Sequence, residues 1–392
     1  MTLSVLLAGG GTAGHVSPLL AIADDIRFQD PDARIVVLGT SEGLETRLVP
    51  EAGFELATIP KVPMPRRVSG DVLRFPGRFR GAVRSVVDLL REREVDVVLG
   101  VGGYVSTPAY LAARRTGTPI VVHEANARPG MANRVGARLT RPDLVGYAFP
   151  GTPLKGHHVG MPMRTQIEAV DYDEDAQRAE ARRSLGLDDD LPTLVVTGGS
   201  LGAQSINEAM AETMTATAQS GVQVLHITGA GKGEELREAA ADNPRYHVRD
   251  YVDGMESAYL AADLVVCRSG AGTVAEISVV WVPSVFVPLP IGNGEQRLNA
   301  AAHVAAGAAL MIDNADFTPA CLEETILPLV GDPDRLAGMR EAARREGFPG
   351  TAARTMTRMV YDAAGMMHPG REYGPERWTK HERFYRTGEE RA

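Results

Sequence analysis

Four short glycine clusters could do chemistry together. They are Gly9-Gly10-Gly11-Thr12-Ala13-Gly14, Gly102-Gly103-Tyr104-Val105-Ser106, Gly198-Gly199-Ser200-Leu201-Gly202 and Ser269-Gly270-Ala271-Gly272-Thr273. Each follows an apolar run and opens a helical pattern. Glycine lets backbone approach an anion, and the helix that follows aims its N–H groups at it. One such loop reads equally well as a tight turn, but four point to a ligand that carries phosphates and sugars. The first cluster fits G-x-G-x-x-G, yet the next apolar run ends Leu38-Gly39-Thr40-Ser41, without the carboxylate a dinucleotide ribose needs. Gly229-Ala230-Gly231-Lys232-Gly233 does not satisfy the Walker spacing.

Around these loops stand residues with further chemistry. His15, in the first turn after the first cluster, has two readings: a base for an attacking hydroxyl, or a residue that caps the turn or binds an acceptor. Glu276 also has two, as the closing half of a capping box or as a carboxylate for two sugar hydroxyls. The polar cluster Asn293-Gly294-Glu295-Gln296-Arg297-Leu298-Asn299 offers amides suited to hydroxyl recognition. The Asp-x-Asp pairs at 30/32, 171/173, 188/190 and 332/334 fall in polar turns, and His157-His158 has no third ligand nearby. A nucleotide diphosphate leaving group carries about two negative charges. Two helix N-termini supply about half a positive charge each, and Arg164 or Arg268 can supply the rest, so no metal is expected.

Positioning these loops requires a particular architecture. Apolar runs over 3–8, 34–38, 95–100, 119–123, 193–197, 222–228, 263–267 and 284–287 read as strands buried on both faces. Helical patterns lie between them, such as 16–28 with Val16, Leu19, Leu20, Ala23 and Ile26 on one side. The chain repeats itself, since Leu6-Leu7-Ala8-Gly9-Gly10-Gly11-Thr12-Ala13-Gly14 is mirrored by Val195-Val196-Thr197-Gly198-Gly199-Ser200-Leu201-Gly202-Ala203. The expected fold is therefore α/β, with two Rossmann-like doubly wound parallel sheets facing a central cleft. The expected division is 1–160, 161–365 and a polar, aromatic-bearing tail over 366–392 that is either docked or disordered.

Composition sets outer limits. A net charge of −9 argues against general nucleic-acid binding, and two cysteines are too few for a disulfide framework. No stretch has the length and apolarity of a membrane span or a signal peptide, so a cytoplasmic protein is expected. One segment is electrically out of character. Residues 61–94 carry nine basic against four acidic residues. Leu73, Phe75 and Phe79 are interleaved with Arg74, Arg78 and Arg80 there. The segment reads as a contact for an anionic membrane surface, or as an ordinary helix whose stripe Val83, Val86, Val87, Leu90 packs inward.

Taken in order, several stretches resemble the MurG family. They are Ala8-Gly9-Gly10-Gly11-Thr12-Ala13-Gly14-His15, Gly102-Gly103-Tyr104-Val105, His123-Glu124-Ala125-Asn126, Gly160-Met161-Pro162-Met163-Arg164, Gly198-Gly199-Ser200-Leu201-Gly202-Ala203, Cys267-Arg268-Ser269-Gly270-Ala271 and Gly292-Asn293-Gly294-Glu295-Gln296-Arg297-Leu298-Asn299. These N-acetylglucosaminyltransferases convert lipid I to lipid II in peptidoglycan synthesis, and the resemblance runs from residue 3 to about 362. It implies a GT-B fold and a metal-independent, cofactor-free, inverting transfer. GlcNAc would pass from UDP-GlcNAc to the MurNAc 4-hydroxyl of undecaprenyl-diphosphate-MurNAc-pentapeptide.

Carried over by position, the resemblance places the donor against Thr12, Ala13, Gly14, Asn126, Arg164 and Ser200, with Val252 beside the uracil. Ala271, Gly272, Thr273, Val274, Ala275 and Glu276 would hold diphosphate and ribose, with Glu276 on the ribose hydroxyls, and Gln296 would read the GlcNAc hydroxyls. Gly103, Tyr104 and His123 fall on the acceptor side, and His15 matches a family histidine implicated in catalysis. The arginine-rich segment matches the family's membrane-facing patch, which implies a peripheral protein on the cytoplasmic face of the plasma membrane. Two positions depart from the pattern: Leu201 stands for a glutamine, and Trp281 for a glycine that closes a helix. The nearest alternative is a related transferase with the same donor and another lipid-linked acceptor. A UDP-sugar epimerase and a dinucleotide-dependent oxidoreductase are more distant.

Overall fold

The structure, a computed structural model, describes residues 2–62, 70–170, 175–199, 202–291 and 293–373, with backbone only over 70–74. It divides into two units, the first made of residues through Arg164 together with 349–373, the second of Thr165–Phe348. Each is built on one parallel sheet.

In the first unit the strands are β1 (Ser4–Ala8), β2 (Arg34–Gly39), β3 (Glu55–Thr58), β4 (Val97–Gly100), β5 (Ile120–Glu124), β6 (Val145–Tyr147) and β7 (His157–His158). Their order is β3-β2-β1-β4-β5-β6-β7, with Val5 paired to Ile35 on one side and Val97 on the other. Side chains of a strand alternate between faces. Leu3, Val5 and Leu7 join a core with Leu19, Ile22 and Ile26 of helix Ala13–Gln29. Leu6 and Ala8 join the opposite core with Val83, Val86 and Leu90 of helix Gly70–Glu92. Both faces are thus covered, which is why these strands are apolar throughout.

The second unit contains β8 (Thr193–Thr197), β9 (Gln223–Ile227), β10 (Tyr246–Arg249), β11 (Leu264–Cys267), β12 (Ser284–Phe286) and β13 (Ala309–Met311), in the order β10-β9-β8-β11-β12-β13. The strand direction of winding reverses between β1 and β4 in one unit and between β8 and β11 in the other. All four glycine clusters follow one of these four strands. Ligands in doubly wound sheets bind at the carboxyl ends beside such a reversal.

Three features differ from the sequence reading or were left open by it. The expected division at 160/161 moves to 164/165, and the chain then returns to the first unit at 349 rather than staying in the second through 365. The cause is helix Ala352–Ala364, whose Met356, Met359 and Val360 are buried in the core that holds Leu3 and Val5. The tail from 366, which the sequence left as either docked or disordered, is docked through 373. Tyr373 stacks on Phe28 with ring centroids 5.1 Å apart and donates to Asp25 Oδ1 at 3.0 Å, while the Arg371 N–H donates to Gln29 Oε1 at 2.8 Å. Residues 374–392 lie outside the description. Thirdly, β3, β6, β7, β10 and β13 are short strands that periodicity does not separate from loop.

Trp281 closes helix Ala271–Val280 in the left-handed region, at φ +64°. A non-glycine residue there costs roughly 1–2 kcal/mol. The indole offsets this by packing against Ala308, Ala342 and Ala343 and by lying 5.0 Å under the Arg344 guanidinium.

Candidate active site

In the first unit the loop after β1 carries His15. Thr12 precedes helix Ala13–Gln29 with extended backbone and does not cap it; its Oγ1 lies 3.2 Å from His15 Nδ1. Burial lowers the His15 pKa below the ordinary 6.5, opposed by the Gly10 carbonyl and by the charge on Glu45. The ring is therefore neutral at physiological pH and able to accept a proton. The loop after β4 faces it. Gly102 and Gly103 have φ of +103° and +80°. A Cβ at Gly102 would sit 3.1 Å from His15 Nε2, and one at Gly103 would meet the Gly10 carbonyl at 2.7 Å. Glycine is required twice here, for the dihedral and for room beside the imidazole. Ser106 Oγ pins this loop, 2.7 Å from Gly102 O and 2.9 Å from Ala8 O.

At the end of β5, His123 is fully buried, with Nε2 2.9 Å from Gly160 O and Nδ1 without a partner among the described residues. Burial pushes its pKa down to about 4, so it is neutral. The neighbouring Glu124 accepts from Asn126 N at 2.8 Å, Gly130 N at 3.0 Å and Asn133 Nδ2 at 3.0 Å. Tyr110 Oη donates to Asn133 Oδ1 at 2.8 Å. This network fixes the Glu124-Ala125-Asn126 turn and so the placement of Asn126. Tyr104 is half-buried, and burial raises its phenol. Arg164 is exposed at the last position of the unit's first segment.

The second unit presents a different chemistry. Helix Ala271–Val280 starts after the extended Gly270 with no side-chain cap, and a Cβ at Gly270 or Gly272 would meet nothing within 4 Å. An uncapped helix end with open space before it is an anion site in waiting. Thr273, Val274 and Ala275 lie in its first turns. Glu276 follows on the same helix and accepts from Tyr259 Oη at 2.8 Å. That carboxylate also raises the buried Cys267 thiol, after burial itself. Gln296 opens helix Glu295–Ala305 and accepts from Leu289 N at 2.9 Å. The side chain of Val252 is buried, whereas its neighbour Tyr251 is 70% exposed. Ser200 and Leu201 lie outside the described residues.

Two sequence expectations are refined. Arg268, named with Arg164 as a counter-charge, has a structural engagement that the sequence did not suggest. Its Nη1 donates to Val287 O at 3.0 Å and to Asn314 Oδ1 at 2.8 Å, and Nη2 donates to Ser205 Oγ at 2.9 Å, so the guanidinium ties loops of its own unit together. The first glycine loop is not a simple phosphate cradle. The Gly11 N–H, which an anion would use, is donated to Glu45 Oε2 at 2.8 Å. Sequence reasoning missed Glu45 because Gly11 is brought to it by the β1–β2 pairing, 34 residues away in sequence, and Thr40, five residues before it, carries no motif of its own. It missed Tyr259 because that residue and Glu276 lie on separate helices, Met255–Ala261 and Ala271–Val280, which only the fold brings together.

The segment proposed for membrane contact is partly ordinary. Val83, Val86 and Leu90 are buried, and Phe79 packs against the same core, stacked on Phe75 at 5.5 Å. Arg78 and Arg80 are exposed. The side chains of Leu73 and Arg74 lie outside the described residues. Among the described residues no helix is long and apolar enough to cross a membrane, and no group of three or more His, Cys, Asp or Glu is placed to hold a metal ion.

Two family models match the chain: the glycosyltransferase family 28 N-terminal domain over residues 5–141 and the C-terminal domain over 193–355. A UDP-N-acetylglucosamine–N-acetylmuramyl-(pentapeptide) pyrophosphoryl-undecaprenol N-acetylglucosamine transferase of Paenarthrobacter aurescens is 53% identical over 365 residues, covering 92% of this chain and 96% of the relative. The enzyme of that name in Streptomyces coelicolor is 48% identical over 360 residues, covering 92% and 98%. Among solved structures, the crystal structure of Acinetobacter baumannii MurG superposes with a TM-score of 0.73 at 30% identity, covering 92% of this chain and 99% of that one.

Proposed function

Because the chain belongs to glycosyltransferase family 28, in its MurG branch, with the GT-B fold, we propose the following reading of its chemistry. The protein is a UDP-GlcNAc-dependent glycosyltransferase that moves GlcNAc to the undecaprenyl-linked MurNAc-pentapeptide of lipid I, forming lipid II for peptidoglycan. The relatedness of both domains, in order and over nearly the whole length, carries this conclusion.

The residues divide the work. The open end of helix Ala271–Val280 takes the diphosphate, helped by Arg164, and Glu276 takes the ribose hydroxyls. Tyr251 offers an exposed ring for the uracil beside Val252, and Gln296 reads the GlcNAc hydroxyls. Thr12, Ala13, Gly14, Asn126 and Ser200 complete the donor contacts, while Gly103, Tyr104 and His123 shape the acceptor side. The MurNAc 4-hydroxyl loses its proton to His15 as its oxygen bonds to the anomeric carbon from the face opposite the diphosphate. The bond from that carbon to the diphosphate oxygen breaks, and its electron pair leaves with UDP. What supports the assignment of the base is a neutral, half-buried imidazole with a cleared space at Nε2. The test is UDP release from UDP-GlcNAc with and without a short-chain lipid I analogue. Release that requires the analogue is expected; release independent of it would contradict the reading.

Two consequences follow for the same assay and its partner surface. The helix N-terminus and an arginine balance a leaving group of about two charges, so EDTA is expected to leave turnover within about twofold. A strict magnesium requirement would refute that balance. The segment around Phe75, Phe79, Arg78 and Arg80 docks the protein on the anionic cytoplasmic face of the membrane. Arg78→Gln combined with Arg80→Gln, both exposed, is expected to weaken binding to vesicles containing phosphatidylglycerol about thirtyfold, at roughly 1 kcal/mol for each basic group near the headgroups. UDP binding should be unaffected, and equal vesicle binding by the double variant would remove the membrane patch.

A further inference from the structure

The groups beneath the first glycine loop converge on one carboxylate. Glu45, at the start of helix Glu45–Glu51, is 0% exposed. Its Oε2 accepts from Gly11 N at 2.8 Å, and its Oε1 accepts from Thr40 N and from Thr40 Oγ1, each at 2.9 Å. Three glycines make the space. A Cβ at Gly10, Gly39 or Gly43 would overlap the Glu45 side chain. A buried carboxylate is costly unless its oxygens are satisfied, and here the donors are the Gly11 N–H of the glycine loop and the N–H and hydroxyl of Thr40 just after β2. We propose that Glu45 is the positioning residue of the first glycine loop, holding Gly11 and the turn of His15 in place and setting the charge against which His15 takes the acceptor proton.

This rests on the reading of His15 as the base. The electrostatics agree with the geometry. Burial by itself would raise the Glu45 carboxyl, but the hydrogen bonds from Gly11 and Thr40 outweigh it and keep the group ionised. Among the described residues the groups acting on the His15 ring are Thr12 Oγ1, the Gly10 carbonyl, the glycine pair 102–103 and Glu45, and of these Glu45 carries the charge. An imidazolium formed next to a fixed anion is stabilised. The same anion disfavours a second negative charge at the loop, which fits this loop to a neutral sugar hydroxyl.

The test is Glu45→Gln in the full chain, read as kcat/KM for the acceptor from pH 4.5 to 8.5. The variant is expected to lower kcat about tenfold and to leave KM for UDP-GlcNAc within about twofold. Because the lost anion had raised the His15 pKa, the acidic limb should move to lower pH by about half a unit. A purely structural role would lower activity with the limb in place, so an unmoved limb overturns the proposal. Should the glutamine variant fail to fold, Gly43→Ala takes its place. The added methyl displaces the carboxylate from the loop, and the limb should move in the same direction; an unmoved limb again overturns the proposal. His15→Asn separates the two readings: a wild-type acidic limb in that variant would overturn the assignment of the base itself.

Discussion

His15→Ala is expected to lower kcat by about a thousandfold, within the range for loss of a positioned general base, and to leave KM for UDP-GlcNAc within about twofold. The size follows from what the imidazole does. As the proposed base it takes the proton only as the sugar hydroxyl attacks, so the expected loss belongs to the transition state rather than to ground-state binding. Its pKa gives the pH dependence. Burial holds the ring below 6.5, so the basic form is present at and above neutrality and is lost as pH falls through the lowered value. The wild-type acidic limb should therefore lie below pH 6.5, and stopped assays across that range would find it. A loss of less than tenfold in His15→Ala, with the limb unchanged, would assign the proton to another group.

The second large effect is on donor binding. Glu276→Ala should weaken UDP affinity by about thirtyfold, since a hydrogen bond to a charged group contributes about 1.5–3 kcal/mol and a tenfold change is about 1.4 kcal/mol. Tyr259→Phe removes the hydroxyl that donates to Glu276 Oε2 at 2.8 Å. It should cost about threefold, because the carboxylate stays while one of its orienting bonds is lost. Calorimetric titration with UDP measures both variants in the absence of acceptor. Unchanged affinity in Glu276→Ala would release this carboxylate from the ribose.

Much of this arrangement was legible in the chain because its signals are local. Strand-glycine-helix junctions at β1, β4, β8 and β11 are written in consecutive residues, and the two copies of the first junction announce the two sheets. What escaped the sequence depends on distance along it. Glu45 meets Gly11 through the pairing of β1 with β2, 34 residues apart. Arg268 reads as a loose cation beside a glycine loop until Ser205, Val287 and Asn314 are folded against it. Helix Ala352–Ala364 follows the second sheet in sequence, yet its methionines complete the core of the first. Trp281 shows the reverse. Its left-handed conformation was foreseeable from the position it occupies, whereas the Arg344 stacking that offsets the strain was not.

The most direct measurement is the identity of the product formed from UDP-GlcNAc and a short-chain lipid I analogue, by mass and by the configuration of the new glycosidic bond. The account predicts an acceptor heavier by one GlcNAc, joined β-1,4 to MurNAc, in amounts equal to the UDP released. An unmodified acceptor alongside an altered or hydrolysed donor sugar, or an α-linked product, would contradict it.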